Sequence, residues 1–440
     1  MSTVIYKNLN ASPIHAVNGA GVWLEDASGK RYLDTCGGVA VSSLGHGHPR
    51  IAAAIEQQAK KLSWAHAGSF TTDAAEELAD LLVGASGGLA KAQFLSGGSE
   101  VMELAMKIAY QYQCERGLPG KSIFISRQQS YHGSTLGTLS ISGNLQRRGV
   151  FEPLLGSAEF VSPCYAYRHQ GTDESDEQYG TRLALELDEK IRALGSDRVA
   201  AFFAETVVGS TNGAVPPVPG YFRKIKAVCE RHDVLLILDE VMAGMGRTGR
   251  FFAYEDDGIV PDMVAVGKGL AAGYQPISAL LVSSQVHEAM AGNSGVLGNG
   301  QTHVNHPLAC AVALEVQRVI QDENLLQAVR LRGEQLRHGL RECLARFEHV
   351  GDVRGRGLFV GVEFVQDRNT REPYHGGGRY AASLKAQALE QGLLIYPGSG
   401  TADGVHGNHV LFAPPFISSE AEIAEMVERF TAVVEACQQG

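Results

Sequence analysis

Lys268 is the residue of this 440-residue chain whose surroundings most directly suggest chemistry. It lies between Gly267 and Gly269, directly after the apolar run at residues 263–266. Burial of an amine disfavours its charged form and lowers its pKa, and the resulting neutral amine attacks carbonyl carbons. The setting predicts a nucleophilic lysine, with a lysine that extends its ammonium group to the surface as the alternative.

Two carboxylates, Asp239 and Glu240, follow the apolar run at residues 235–238. In open α/β sheets, ligands bind beyond the carboxyl ends of the strands, and a carboxylate buried there needs a cationic partner. Asp239 is therefore a candidate for holding a cationic group of a ligand. A helix N-cap or a structural salt bridge is the alternative interpretation.

A strand-like run, a glycine turn and a helical pattern follow one another around Ser96-Gly97-Gly98-Ser99-Glu100. The start of a helix offers unpaired N–H groups and the positive end of the helix dipole to an anion. Gly98 allows a phosphate to approach the backbone and Ser99 adds a hydroxyl. A phosphate site is one interpretation, and an ordinary helix N-cap at Ser99 is the other.

These three features fit one cofactor. A phosphate cradle, a carboxylate for a cationic ring nitrogen and a nucleophilic lysine, each at a strand end, are together what pyridoxal 5′-phosphate (PLP) requires. The residues alone therefore favour PLP.

Two glycine-rich motifs lack the context for the chemistry usually attached to them. Residues 84–88 fit the Gly-x-Ser-x-Gly elbow of hydrolases, but a helical pattern precedes them and a strand-like run follows, the reverse of the required order. We expect a helix C-terminus and a turn there. Residues 244–249 fit Gly-x-Gly-x-x-Gly, but no helical period follows, so dinucleotide binding is not expected.

Strand and helix patterns alternate between about residues 94 and 285. Helices are predicted at 100–112, 181–194 and 221–231, and strands at 93–95, 122–126, 159–162, 199–204, 234–238, 263–266 and 277–282. This alternation predicts an α/β fold with a mostly parallel central sheet flanked by helices.

The two chain ends have a different pattern. Strands are predicted at 21–26, 30–33, 357–364 and 392–396, and helices at 307–320, 324–347 and 420–437. We predict a large PLP-binding domain at residues 51–306 and a smaller α+β domain at residues 1–50 and 307–440, built from both chain ends.

Composition and charge narrow the choice of partners. The formal net charge is −10, and no block of consecutive basic residues offers a footprint for nucleic acid. The apolar stretches are far shorter than the about 20 residues of a membrane helix, and the first residues lack a secretory signal, so a cytoplasmic location is expected. The seven cysteines are scattered without a Cys-x-x-Cys pair, so no metal site is expected.

From about Gly21 to the last predicted helix, the chain resembles the class-III (ω-type) aminotransferases of the fold-type-I PLP enzymes. The resemblance depends chiefly on the segment from Asp239-Glu240-Val241 to Gly246-Arg247-Thr248, and on Gly267-Lys268-Gly269. It implies transfer of an amino group from an amine or amino acid to an oxo acid, such as pyruvate or 2-oxoglutarate, by a ping-pong mechanism.

The resemblance also implies residue roles around the cofactor ring. Lys268 would form a Schiff base with PLP and later move the substrate proton. Asp239 would hold the pyridinium N–H. Val241 would pack on one ring face and Tyr131 on the other. His132 would either contact the cofactor or position its turn.

Further implied contacts lie at the phosphate and at the cofactor's edge. Gly98 and Ser99 would bind the phosphate, and Thr302 would reach it from the neighbouring subunit, which requires a homodimer or a dimer of dimers. Glu205 would lie near the cofactor's edge. The family usually has proline after this glutamate, whereas this chain has Thr206.

Substrate contacts are less defined by the sequence. Several ω-transaminases place a mobile arginine in the loop before the C-terminal helix, but residues 399–409 contain no arginine. Arg147 or Arg148 is then a candidate for binding the acceptor carboxylate, with an ordinary surface arginine as the alternative. Trp64 is a candidate for an aromatic donor pocket, with core packing as the alternative. For Arg354 a structural role is favoured.

Other functions remain open on the same fold. A PLP-dependent amino-acid racemase, epimerase or decarboxylase would use the same constellation. A binding protein without catalysis would be expected to lack Lys268 or Asp239, and both are present.

Overall fold

The computed structural model describes residues 2–438 of the chain. The strands are β1 (Ala16–Ala20), β2 (Trp23–Asp26), β3 (Arg31–Asp34), β4 (Leu89–Leu95), β5 (Ile123–Arg127), β6 (Glu159–Val161), β7 (Val199–Glu205), β8 (Leu235–Asp239), β9 (Met263–Val266), β10 (Ser278–Ser283), β11 (Val350–Arg356), β12 (Phe359–Asp367), β13 (Glu372–Pro373), β14 (Leu393–Leu394), β15 (Tyr396–Ser399) and β16 (Asn408–Phe412). The helices are α1 (Gly37–Ala40), α2 (Pro49–Lys61), α3 (Asp73–Ala85), α4 (Gly98–Glu115), α5 (Leu136–Ser140), α6 (Leu145–Arg148), α7 (Ala166–His169), α8 (Asp176–Leu194), α9 (Tyr221–Arg231), α10 (Ser284–Ala291), α11 (Pro307–Asp322), α12 (Leu325–Leu344), α13 (Arg379–Glu390) and α14 (Glu420–Gln438). Short 3-10 helices cover Gly149–Leu154, Ala253–Asp257 and Lys268–Leu270.

A seven-stranded sheet forms the centre of the molecule, in the order β4-β10-β9-β8-β7-β5-β6. The strands from β9 to β6 are paired in parallel, and β10 is antiparallel to both of its neighbours. Strands β7 and β8 are buried along their whole length, because helices cover both faces of such a sheet. The expected α/β fold with a mostly parallel sheet is confirmed.

Two smaller sheets are built from the chain ends. One has the order β1-β2-β3-β14, and the other has the order β11-β12-β16-β15, with β13 paired to β12. Leu33 of β3 lies opposite Leu393 of β14, so residues from the two ends share one sheet. This pairing supports the division into a large and a small domain, which stays a prediction. Over residues 2–438, no helix combines the length and the apolar character that crossing a membrane requires.

Two strands near the C-terminus, the partly buried β11 and the buried β16, were not predicted. Strand β11 contains Arg354, which is buried and donates to Glu363 of β12 at 2.6 Å. Strand β16 buries the polar side chains of Asn408 and His409. Polar residues inside these strands obscure the apolar pattern, because their partners come from other segments. The structural role favoured for Arg354 is consistent with its ion pair.

The first glycine-rich motif, at residues 84–88, lies at a helix C-terminus and turn, as expected. Helix α3 ends at Ala85, where Ser86 Oγ donates to the carbonyl of Val83 at 2.7 Å and accepts from the N–H of Leu89 at 2.9 Å. In the segment 244–249, Arg247 donates to the carbonyls of two distant segments. These contacts give both motifs a structural role.

Candidate active site

Three neighbouring parallel strands, β7, β8 and β9, end at a cavity of about 440 Å³. Glu205 and Asp239 end their strands, Lys268 follows β9 closely, and all three line the cavity. Parallel strands present their carboxyl ends at one edge of the sheet, so residues distant in sequence converge there. The remaining lining residues are Val41, Ser96, Gly97, Gly98, Ser99, Tyr131, His132, Gly133, Val207, Val241, Met242, Ala243, Gly273, Gln275, Pro276 and Ile277.

Lys268 begins the short 3-10 helix after β9, with a backbone φ of 37°. This lies in the left-handed region that residues other than glycine rarely adopt. Burial lowers the pKa of Lys268, and the negative charges of Asp239 and Glu205 oppose that shift. Backbone strain and a perturbed pKa are both typical of functional sites, so they support the predicted nucleophilic amine over a surface lysine.

Asp239 is held by two hydrogen bonds. His132 Nδ1 lies 2.9 Å from its Oδ2, and the N–H of Val241 donates to its Oδ1 at 3.0 Å. An ionised carboxylate only accepts, so His132 carries its proton on Nδ1 when Asp239 is ionised. The N–H of His132 in turn donates to Ser142 Oγ at 2.8 Å. His132 therefore orients the carboxylate that faces the cavity.

Glu205 connects the loop after β5 to the loop after β7. One carboxylate oxygen accepts from the N–H of Tyr131 at 3.1 Å, and the other accepts from the N–H of Gly209 at 2.8 Å. Burial raises the pKa of Glu205, with a further contribution from the charge of Asp239. Glu205 thus fixes the backbone that carries Tyr131 at the cavity wall.

Glu240 has a different environment from Asp239, although the two are adjacent in sequence. It is fully buried and accepts from Thr206 Oγ1 at 2.8 Å and from the N–H groups of Ala253 and Tyr254 at 2.7 and 2.8 Å. Burial raises its pKa to about 7. The hydroxyl of Thr206, which stands where the family usually has proline, therefore has a buried structural partner.

The start of helix α4 has the geometry of an anion cradle. Its first N–H groups have no partner within the helix. Ser99 Oγ accepts from the N–H of Ser134 at 2.9 Å, which places the hydroxyl against the loop that carries Tyr131. A Cβ atom on Gly98 would lie 3.1 Å from Cγ1 of Val241, so a larger residue at this position would require Val241 to shift.

Arg147 and Arg148 have opposite surroundings. The guanidinium of Arg147 stacks over the ring of Tyr131, with 3.9 Å between Cζ and the ring centroid, and its Nη2 donates to Ser210 Oγ at 3.0 Å. Arg148 is buried and donates to three carbonyls at the end of helix α5 and to Glu152. Of the two candidates, only Arg147 contacts a residue that lines the cavity.

Trp64 and Thr302 lie together but outside the cavity of their own chain. The indole N–H of Trp64 donates to the carbonyl of Thr302 at 3.1 Å, and both residues are exposed. Neither residue lines the cavity around Lys268. The core-packing alternative for Trp64 is wrong, since 41% of the residue is exposed.

Several lining residues were not predicted from sequence. Val41, Met242 and the segment Gln275-Pro276-Ile277 line the cavity. Their side chains are mostly apolar and carry no reactive group, so nothing in the sequence distinguishes them from core residues. Ser142, which supports His132, is likewise an ordinary loop serine in the sequence.

The residues fit PLP by observations that are independent of any motif. Nε2 of His132 is buried, and it has no hydrogen-bond partner among residues 2–438. Asp239 faces the cavity beside it, and the unpaired N–H groups of helix α4 lie at another side of the same cavity. The cavity therefore combines an anion cradle, an oriented carboxylate and a lysine with a lowered pKa.

Comparisons with known proteins agree with this arrangement. A family model described as aminotransferase class-III matches residues 5–434. The chain is 39% identical over 436 residues to an aminotransferase of Gibberella zeae. This alignment covers 98% of this chain and 85% of that protein. It is also 38% identical over 441 residues to the aminotransferase YodT of Bacillus subtilis. That alignment covers 100% of this chain and 99% of the relative.

A solved structure of a related protein has the same fold. The crystal structure of the ω-transaminase of Pseudomonas jessenii in complex with PMP superposes with a TM-score of 0.93 at 33% identity. The match covers 100% of this chain and 97% of that one. PMP is the amino form of PLP, on which class-III aminotransferases depend.

Proposed function

The chain belongs to the class-III aminotransferases, and from this premise we propose that it uses PLP to move an amino group from an amine or amino-acid donor to an oxo acid. The observation that carries the proposal is the convergence of Lys268 and Asp239 on one cavity, with burial lowering the pKa of the lysine. The acceptor we propose is pyruvate or 2-oxoglutarate.

The residues that line the cavity would contact different parts of the cofactor. Asp239 would hold the ring nitrogen, Val241 and Tyr131 would lie against the ring, and Lys268 Nζ would be the point of covalent attachment. At the start of helix α4, Gly98 and Ser99 would bind the phosphate. Glu205 would support the ring's edge by fixing the loop of Tyr131.

Bound PLP supplies an electron sink for the substrate carbon that loses its proton. Lys268 lines the cavity and burial favours its neutral amine, so it would take that proton from the substrate carbon and deliver it to the cofactor carbon that bears the amino group. The hydrogen bond between His132 and Asp239 would keep this carboxylate turned towards the cavity. The donor product leaves before the oxo acid binds, which predicts ping-pong kinetics.

The proposal includes a second copy of the chain at the site. Trp64 and Thr302 are exposed and hydrogen-bonded to each other, and neither lines the cavity of its own chain. We propose that this pair completes the cavity of a neighbouring subunit in a homodimer or a dimer of dimers, with Thr302 at the phosphate and Trp64 at the donor.

Incubation of the purified protein with pyruvate and a panel of donors tests the function. The panel should span ω-amino acids, diamines, arylalkylamines and α-amino acids, and alanine formation should be measured. Alanine should form with at least one donor, and Lys268→Ala should abolish both the turnover and the visible absorbance of lysine-bound cofactor. Exchange of the α-proton without any amino transfer would instead favour a racemase or epimerase, and carbon dioxide release would favour a decarboxylase.

A further inference from the structure

Contacts with Asn144, Tyr131 and Ser210 hold Arg147 beside the cavity. Helix α6 begins at Asn144, whose side chain accepts from the N–H of Arg147 at 3.1 Å. The guanidinium is half-buried between the ring of Tyr131 and the hydroxyl of Ser210. Because Tyr131 also lines the cavity that contains Lys268, the cation of Arg147 contacts the wall of this cavity.

The positive charge of Arg147 is not neutralised by a protein carboxylate. In the part of the chain that the structure describes, Arg147 makes no ion pair, whereas the adjacent Arg148 pairs with Glu152 at 3.0 Å. Within residues 2–438, its guanidinium makes a single protein hydrogen bond, from Nη2 to Ser210 Oγ. A half-buried guanidinium with unused donors is a site for an anion from solution.

The charge of Arg147 also acts inside the cavity. It is one of the groups that lower the pKa of Lys268, after burial, which is the largest cause. Among the residues that line the cavity, Lys268 itself is the only cation between residues 2 and 438. Arg147, whose guanidinium stacks on the cavity-lining Tyr131, is therefore a candidate partner for a substrate carboxylate that enters the cavity.

The neighbouring loop offers no competing cation. Residues 399–409 contain no lysine or arginine, and the loop is joined to helix α6 by Gln146, which donates to the carbonyl of Val405 at 3.3 Å and accepts from Ser399 Oγ at 3.2 Å. His409, at the end of this segment, is buried, and burial lowers its pKa to about 3, so it stays neutral at physiological pH.

We propose that Arg147 binds the carboxylate of the oxo acid acceptor and so makes the enzyme select oxo acids over uncharged aldehydes and ketones. Tyr131 and Ser210 hold the guanidinium plane, which leaves its other N–H groups for a two-pronged contact with the carboxylate. Arg148 is excluded from this role because its donors are occupied by buried carbonyls. This inference rests on the proposed amino-transfer function.

The test compares two acceptors with one donor that has no carboxylate. In the holoenzyme, kcat/KM is measured for pyruvate and for propanal, which has the same carbon chain without the carboxylate. Arg147→Gln should lower kcat/KM for pyruvate by about 10- to 100-fold, as expected for the loss of a charge-assisted hydrogen bond, and should lower the value for propanal far less. Arg147→Lys should recover part of the pyruvate activity.

The matched control is Arg198→Gln. Arg198 is an exposed arginine just before β7, at the end of the sheet opposite the cavity, and its substitution should leave the ratio between the two acceptors unchanged. Equal losses with pyruvate and propanal in Arg147→Gln would overturn the inference and indicate a structural role. An unchanged value for pyruvate would overturn it as well.

A binding measurement separates this inference from the proposed function. Propionate does not react, and calorimetry of its binding to the holoenzyme should give an affinity that Arg147→Gln weakens by about tenfold or more. If the wild-type protein transfers no amino group with any donor, the proposed function fails, while the propionate affinities still decide the role of Arg147. Equal affinities for propionate in the two proteins would overturn the inference.

Discussion

His132 Nδ1 lies 2.9 Å from Asp239 Oδ2, although 107 positions separate the two residues in the chain. Both side chains are buried, and the other oxygen of Asp239 accepts from the N–H of Val241. The carboxylate therefore has one fixed rotation, with its free lone pairs in the cavity. We propose that His132, through this contact, is a positioning residue that would act on the cofactor through Asp239.

Removing the His132 side-chain donor should impair catalysis without unfolding the protein. We expect His132→Phe to lower kcat/KM by about 10- to 100-fold, because a hydrogen bond to a charged group is lost and Asp239 can rotate. His132→Asn should retain more activity, since its amide can donate to the same carboxylate. Steady-state kinetics and PLP affinity measure both effects, and identical losses in the two variants would contradict the positioning role.

Lys268→Met should stabilise the apoprotein, most strongly at neutral and lower pH. Burial lowers the folded-state pKa of Lys268 below 10.5, so between these two pKa values the unfolded chain binds more protons at this residue than the folded chain does. The contribution of Lys268 to the free energy of unfolding therefore rises with pH between the lowered pKa and 10.5. Because methionine does not titrate, Lys268→Met removes this pH dependence of the free energy of unfolding.

Thermal unfolding of the apoprotein at a series of pH values measures the effect. The gain in Tm of Lys268→Met should shrink as the pH approaches 10.5. Lys385→Met, at an exposed lysine of helix α13, is the control and should show no such trend. A gain of the same size at every pH would disprove the account.

Thr206→Val should destabilise the fold. The substitution keeps the shape of the side chain but removes the donor to the buried Glu240, and the expected cost is about 1–3 kcal/mol of unfolding free energy. Urea unfolding measures the loss, and Thr172→Val, at an exposed threonine, is the control. If Thr206→Val unfolds at the same urea concentration as the wild type, the Thr206–Glu240 bond contributes nothing to stability.

Mixed dimers should test whether Thr302 serves the neighbouring subunit. Thr302→Glu would place a negative charge at the partner's phosphate and inactivate it, and Lys268→Ala is inactive by itself. After the two inactive variants are unfolded together and refolded as a mixture, mixed dimers contain one site with an intact lysine and an intact threonine. We expect recovery of about a quarter of the wild-type activity, given random pairing in a symmetric dimer. No recovery would mean that Thr302 acts in its own chain, and activity of Thr302→Glu by itself would mean that Thr302 has no role at the phosphate.

The sequence by itself determined the central features of the fold and site. The apolar runs of β7, β8 and β9 are local and unbroken, so they reveal both the strands and their carboxyl ends. Lys268 and Asp239 stand at those ends, and a parallel sheet brings such ends together regardless of their separation along the chain. Strand β11 was missed because its buried Arg354 has its partner, Glu363, on the next strand.

Only the tertiary structure decided which polar residues act together. Arg147 and Arg148 are adjacent in a helical turn, so their side chains point about 100° apart, one towards Tyr131 and the cavity wall and the other into buried carbonyls. The pairing of His132 with Asp239 is likewise invisible in sequence. A hydrogen bond depends on distance and direction to within fractions of an ångström, and for distant residues these are set by the packing of the whole sheet.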